Sequence, residues 1–205
     1  MALRIKSMVM GPVATNCYYF YDEEKTEAVV IDPPVKGEWI HDHLKGKGLQ
    51  VAAILFTHGH FDHISGANAL RNASSAKIYA PLPEREMLED PSLNLSDQNV
   101  SVKADVFLTD GEELTVAGIT MRVIFTPGHT SGGCCYYLEK DKALFSGDTL
   151  FAGSVGRTDL PTGSHAQLIA SVREKLMVLP DDVTVYPGHG ESTTIGEERK
   201  YNLFL

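Results

Sequence analysis

Residues 57–66 read "THGHFDHISG", and the six residues before them, 51–56, read "VAAILF". A short apolar run of this kind is a buried strand. Three histidines and one aspartate therefore crowd into a loop at a strand end. In extended chain, residues two apart point the same way, so His58 and His60 can face one ion together. Asp62 and His63 follow as the chain turns into the next helix, and can face a second ion.

Three more apolar runs end in the same way. "MRVIFTPGH" delivers His129, "KALFSGD" delivers Asp148 and "VTVYPGH" delivers His189. "TPGHT" at 126–130 and "YPGHG" at 186–190 are echoes of each other, each placing a histidine after a Pro-Gly turn. Five of the eight histidines fall in this set. Imidazole and carboxylate ligands suit Zn²⁺, and also iron and manganese. Seven ligands exceed one tetrahedral site and suit two ions that share one carboxylate.

The other histidines contrast with these. His41 and His43 also form an H-x-H, but inside "EWIHDHLKGKG", which reads as a helix ending at its glycines. On a helix, positions two apart diverge by about 200°, so the pair cannot share an ion and reads as a solvated face. His165, in the first turn of a later helix, reads as a surface residue.

Along the rest of the chain, "LRIKSMVM", "NCYYFY" and "EAVVIDP" read as strands, "ISGANALRNAS" as helix and "AKIYAP" as strand. "PEREMLED" reads as a short helix and residues 90–105 as polar loop. Strand pattern returns from 106, with Asp110-Gly111 and the polar tip 139–142 expected as hairpin turns. "SHAQLIASVREKLMVL" reads as a helix capped by Ser164, with Gln167 at the capping-box position. "VTVYPG" reads as the last strand. Strand-rich halves that each carry helices point to sheet packed on sheet with helices outside.

Bulk properties narrow the function. The chain has 205 residues, 43% of them hydrophobic, and reads as one domain over 1–205. No run approaches the roughly 20 apolar residues that span a bilayer, and the N-terminus carries no signal-peptide pattern. Net charge is −9, with no Lys/Arg block, which argues against a nucleic-acid partner. Cys17, Cys134 and Cys135 are odd in number and include no CxxC, which points to a reduced, cytoplasmic protein. Cys134 and Cys135 read as strand residues facing opposite ways.

H-x-H-x-D-H followed by spaced His, Asp and His resembles the metallo-β-lactamase superfamily, over a stretch from "ATNCYYFY" to "RKYNLF". "SGDTLFAGSVGRTDLPTG" resembles the small glyoxalase II-like (hydroxyacylglutathione hydrolase-like) hydrolases within it. The resemblance implies an α+β fold, an αββα four-layer sandwich with two central mixed sheets, outer helices and the metals in a cleft along one edge. It implies His58, His60 and His129 on a first metal, Asp62, His63 and His189 on a second, Asp148 bridging them and a bridging hydroxide. The ions are expected to be Zn²⁺, with Fe or Mn as alternatives, and Asp62 and Asp148 are the catalytic carboxylates.

The implied reaction is hydrolysis of a small-molecule thioester. Full-length glyoxalase II adds a C-terminal helical domain that binds glutathione, whereas 16 residues follow His189 here. Arg157 matches the basic residue of the glycine-rich loop, so it is expected either to clamp a substrate carboxylate or to be a structural residue bonded to loop carbonyls or to Asp159. "GRTD" at 156–159 also resembles persulfide dioxygenases, which implies an alternative: one iron on His58, His129 and Asp148.

Overall fold

The computed structural model describes residues 2–205 of the chain. The first sheet is built from β1 (Leu3–Met10), β2 (Thr15–Asp22), β3 (Glu27–Ile31), β4 (Gln50–Leu55), β5 (Lys77–Pro81) and β6 (Val106–Leu108), hydrogen-bonded in that order. β1, β2 and β3 pair antiparallel, and β3 to β6 pair parallel. The second sheet holds β7 (Glu113–Val116), β8 (Ile119–Phe125), β9 (Cys134–Leu138), β10 (Ala143–Gly147), β13 (Thr184–Pro187) and β14 (Thr193–Thr194). Its spatial order is β14-β13-β10-β9-β8-β7. A small hairpin of β11 (Leu150–Phe151) and β12 (Ser154–Val155) stands apart from both sheets. Both large sheets are therefore mixed.

Helices α1 (Gly37–Gly46) and α3 (Ala67–Ser74) cover the first sheet. Ile40, Leu44 and Leu70 meet Val30, Ile54 and Ile78 there. Between the sheets, Phe20, Val29 and Leu55 pack on Met121, Val123, Tyr136 and Phe145. Outside the second sheet, α6 (His165–Ser171) continues as a π-helical turn over Val172–Leu176. Leu168, Val172 and Leu176 cover Tyr137, Leu144 and Val185. The order is helix, sheet, sheet, helix, as the sequence pattern implies. Each fully buried apolar side chain contributes about 1.5–3 kcal/mol, so three such layers supply the main driving force. Cys134 faces the inter-sheet core and Cys135 the outer one, as strand alternation requires.

Some local expectations change. Asp110-Gly111 closes no hairpin: it carries the chain from β6 in one sheet to β7 in the other, and the hairpin turn is Ala117-Gly118. Asp110 instead caps the neighbouring strand, its Oδ1 accepting the Phe125 N–H at 2.7 Å. The tip after β9 does close a hairpin. Short helices α2 (Phe61–Ile64), α4 (Arg85–Glu89) and α5 (Pro91–Asn94) interrupt the loops, α5 within the stretch read as coil. β13 is followed by β14 and by α7 (Ile195–Tyr201). Ser164 caps α6 by accepting the Gln167 N–H, but its own N–H donates to the Gly128 carbonyl, so no reciprocal capping box forms. Among the described residues no helix is long and apolar enough to cross a membrane.

Pairing directions position the site. β8 and β10 are each antiparallel to β9, and β13 is parallel to β10. β8, β10 and β13 therefore run the same way, as do β3 and β4. Each sheet thus presents its ligand-bearing loops at one edge, where a rigid scaffold holds them.

Candidate metal centre

The loop after β4 and the Pro-Gly turn after β8 bring His58, His60 and His129 together, their candidate ligand atoms all within 4.8 Å of one another. His60 Nδ1 lies 3.0 Å from His129 Nε2. Asp62, His63 and His189 form a second group of the same kind. Asp62 Oδ2 is 3.4 Å from His63 Nε2 and 3.3 Å from His189 Nε2. Asp148, immediately after β10, stands between the groups. Its Oδ1 is 3.5 Å from His63 Nε2, and its Oδ2 is 3.5 Å from the Nε2 atoms of both His129 and His189.

Apart from the 3.0 Å approach of His60 to His129, these separations, 3.3–3.5 Å, are longer than most good hydrogen bonds. Ligands held tetrahedrally at the usual zinc distances lie about 3.3 Å apart. Among the described residues, the buried Nε2 atoms of His58, His60 and His63 and Oδ1 of Asp148 have no hydrogen-bond partner. Buried polar atoms left bare are costly, and a cation held by Nε2 of His58, Nε2 of His63 and Oδ1 of Asp148 removes that cost for these three. The donor set therefore fits metal ions. All seven residues expected from the sequence converge here.

The histidine tautomers are set from behind. His63 Nδ1–H donates to Asp32 Oδ2 at 2.9 Å. His129 Nδ1–H donates to the Arg157 main-chain carbonyl at 2.7 Å. Thr57 Oγ1–H donates to Asp32 Oδ2 at 2.6 Å, so its lone pair is left to accept His58 Nδ1–H at 3.0 Å. In all three rings Nδ1 is engaged from behind, which leaves Nε2 facing the cluster, the usual arrangement around metal-bound histidine. Burial opposes charge on His63, but Asp62, Asp148 and Asp32 raise it well above its ordinary value, so a metal ion must displace its Nε2 proton. Burial, helped by the neighbouring imidazoles, holds His58 well below its ordinary value and takes His60 down to about 3. Both are neutral at pH 7, so no proton competes for those lone pairs. Burial opposes the charge on Asp62, but His63 and a hydrogen bond from His189 hold its carboxyl below the usual range.

Asp32, Thr57, Thr15 and Asn16 are supporting residues that the motif reading missed. Asp32 ends "EAVVID", so it follows an apolar strand run just as Asp148 does, and that signal was available. It is 1% exposed and holds a left-handed backbone, φ 50°. Thr15 Oγ1–H donates to Asp62 Oδ2 at 2.8 Å. Asn16 Nδ2 donates to the Pro187 and Gly190 carbonyls, and Tyr18 O–H donates to Pro187. The start of β2 thereby pins the loop that carries His189.

The Pro-Gly echo has a steric cause. A Cβ on Gly188 would lie 2.2 Å from Asp148 Oδ1, and one on Gly128 2.2 Å from the Leu168 N at the start of α6. Only glycine lets these backbones approach so closely.

The cluster opens into a cleft of about 520 Å³, walled by Val13, Phe61, Leu95, Phe151, Val155 and Leu160. Arg157 stands on its rim. Its Nε and Nη2 each donate to Asp159 at 2.7 Å, a bidentate pair open to solvent. The structure thus shows the Asp159-held arrangement of Arg157. His41 and His43 lie on α1, outside both clusters. They are half-buried instead of fully solvated, and His43 stacks on Trp39 with centroids 4.9 Å apart. His165 is exposed, as expected.

The family model of the metallo-β-lactamase superfamily matches residues 10–189. The chain is 36% identical to the probable metallo-hydrolase YqgX of Bacillus subtilis, over 99% of this chain and 98% of that protein. It is 35% identical to hydroxyacylglutathione hydrolase GloC of Haemophilus influenzae, over 93% of this chain and 92% of that one. Among solved structures, it is similar to the BLEG-1 B3 metallo-β-lactamase at 42% identity and a TM-score of 0.93, covering 98% and 99% of the two chains. TTHA1623 in a di-iron-bound form is similar at 34% identity and a TM-score of 0.85, covering 98% and 100%. ETHE1 from Myxococcus xanthus follows at 30% and 0.78, covering 98% and 83%.

Proposed function

This chain belongs to the metallo-β-lactamase superfamily, and on that premise we propose that it is a binuclear metallohydrolase that cleaves a small thioester, of which a hydroxyacylglutathione is the first candidate. The observation that carries the reading is the placement of Asp148, whose Oδ2 lies 3.5 Å from a histidine of each group, His129 and His189, while its Oδ1 lies 3.5 Å from His63. His58, His60 and His129 would hold one divalent ion, Asp62, His63 and His189 the other, and Asp148 both. Zinc is the first candidate, and iron is supported by the di-iron-bound neighbour. When bound, such ions supply an activated water at neutral pH and polarise the acyl carbonyl.

The remaining roles belong to the chain's own residues. Asp32, Thr57 and the Arg157 carbonyl hold three imidazoles in the ligating tautomer. Phe61, Leu95, Phe151 and Leu160 seat the apolar part of the substrate and displace water from beside the reacting carbonyl. Arg157 reaches an anionic substrate group by leaving Asp159, and a pair so exposed to solvent opens at little cost. The three free cysteines are buried, in keeping with a cytoplasmic protein.

Likeness to a B3 metallo-β-lactamase at 42% identity supports a second reading, ring opening of a β-lactam by the same acyl transfer to water. One experiment separates the readings. Protein from unsupplemented medium is analysed for metals, and the same sample is assayed on S-lactoylglutathione, on a β-lactam, and for oxygen uptake with glutathione persulfide. About two ions per chain and thioester turnover above β-lactam turnover are expected. β-Lactam turnover alone would establish the second reading. One iron per chain with oxygen uptake would establish the dioxygenase alternative that "GRTD" implies.

A further inference from the structure

Glu84 is a carboxylate that no step above uses, yet it is 0% exposed. It ends the 3₁₀ turn Leu82–Glu84 that leads into α4. Among the described residues no cation pairs with it. Burying such a group is expensive unless hydrogen bonds compensate. Its hydrogen bonds at 2.7 Å come from two backbone amides, and the Thr130 hydroxyl of the His129 loop also favours its charged form. Gly59 N–H donates to Oε2 at 2.7 Å and Gly132 N–H donates to Oε1 at 2.7 Å.

Those amides belong to the two loops that build the first histidine group. Gly59 lies between His58 and His60, and Gly132 lies three residues beyond His129. Neither glycine has room for a side chain unless its neighbours move. A Cβ on Gly59 would sit 2.8 Å from Met87 Cγ and 3.1 Å from Glu84 Oε2. One on Gly132 would sit 2.7 Å from Pro83 Cβ and 2.8 Å from Glu84 Oε1. The Leu82–Glu89 segment is thus pressed against both loops at once, with one oxygen on each. The loops also meet where His129 approaches His60 at 3.0 Å and packs on the His58 ring, and where the Cys134 N–H donates to the Thr57 carbonyl.

We propose that Glu84 is a positioning residue that sets the spacing of the two loops, so that His58 and His60 from one and His129 from the other close on a single ion. The inference rests on the metal centre proposed above. It touches the first histidine group only: Asp62, His63 and His189 are supported by Asp32, Thr15 and Asn16 instead. Glu84→Gln keeps one acceptor for two amides and turns an NH₂ group toward the other N–H. The loops must then separate on one side.

The test is site-resolved metal affinity, with no turnover assay needed. Zn²⁺ is titrated into metal-free wild type and Glu84→Gln against a chelator of known affinity, and Co²⁺ absorption reports the coordination of each ion. One of the two ions should bind about 10- to 100-fold more weakly in the variant, the usual loss when a support behind a ligand is removed. The other should change less than about threefold. Gly132→Ala, which crowds the same oxygen, should weaken the same ion. In wild-type protein the Gly59 and Gly132 amide protons should be shifted downfield and slow to exchange, a readout that survives if Glu84→Gln fails to fold. Equal weakening of both ions in step with lost apo-protein stability would show a purely structural role and overturn the proposal. So would unchanged affinity at both sites, or ordinary, fast-exchanging amides in wild type. Wild-type protein that binds no ions would overturn the metal centre itself, and this role with it.

Discussion

His41 and His43 on α1 and His58 and His60 after β4 share one spacing and differ in everything else. On the helix the two rings point apart: His43 stacks on Trp39, while the buried Nδ1 of His41 meets no partner among the described residues. After the strand the rings converge, with centroids 4.9 Å apart and His129 at 4.9 Å and 4.7 Å from them. A spacing of two means convergence only where the backbone is extended. The second difference lies behind the rings. His58 has Thr57 and Asp32 to hold its tautomer, and no such relay backs His41.

The hardest way to break the contrast is to remove what joins the histidine groups. Asp148→Ala should lower the bound metal to below one ion per chain and reduce thioester turnover by at least about a hundredfold, the upper range seen even for indirect supports. Elemental analysis with steady-state kinetics reads both. Full metal content with near-normal turnover would refute the two-ion centre.

A subtler substitution tests the relay. Asp32→Asn keeps the volume but offers an amide to three donors, the Thr57 main-chain N–H, Thr57 Oγ1–H and His63 Nδ1–H. Metal affinity should fall about 10- to 100-fold while the near-ultraviolet circular dichroism stays native. Unchanged affinity would mean that the lone pairs of His58 and His63 are set without Asp32.

The smallest effect is expected on the helix. His41→Ala and His43→Ala should leave metal content unchanged. His43→Ala should lose about 0.5–1.5 kcal/mol of stability from its stacked contact with Trp39, measured by urea unfolding. Metal loss in either variant would erase the distinction between the two H-x-H segments.

Much of this was legible in the chain. Apolar runs ending in His or Asp mark strand ends that point at one place, and the helix around His41 declares itself by its glycines and its apolar spacing. Seven candidate ligands follow from those patterns, because an apolar run and the polar residue that ends it are neighbours in sequence. Strand alternation likewise places Cys134 and Cys135 in different cores.

What tertiary structure decided is whatever depends on groups far apart in the chain. The parallel course of β8, β10 and β13 gathers three ligand loops at one edge, and no local pattern states that pairing. Asp110-Gly111 has the composition of a hairpin turn and is instead a crossing between sheets, because β6 finds its partner in β5 and not in β7. The Arg157 side chain matches the basic residue of a glycine-rich loop, yet it is the Arg157 main-chain carbonyl that holds His129. Glu84 looks in sequence like one more charge on a short polar helix; its amide partners lie 25 and 48 residues away. A carboxylate's role is set by which donors surround it, and those donors are assembled only when the two sheets close on each other.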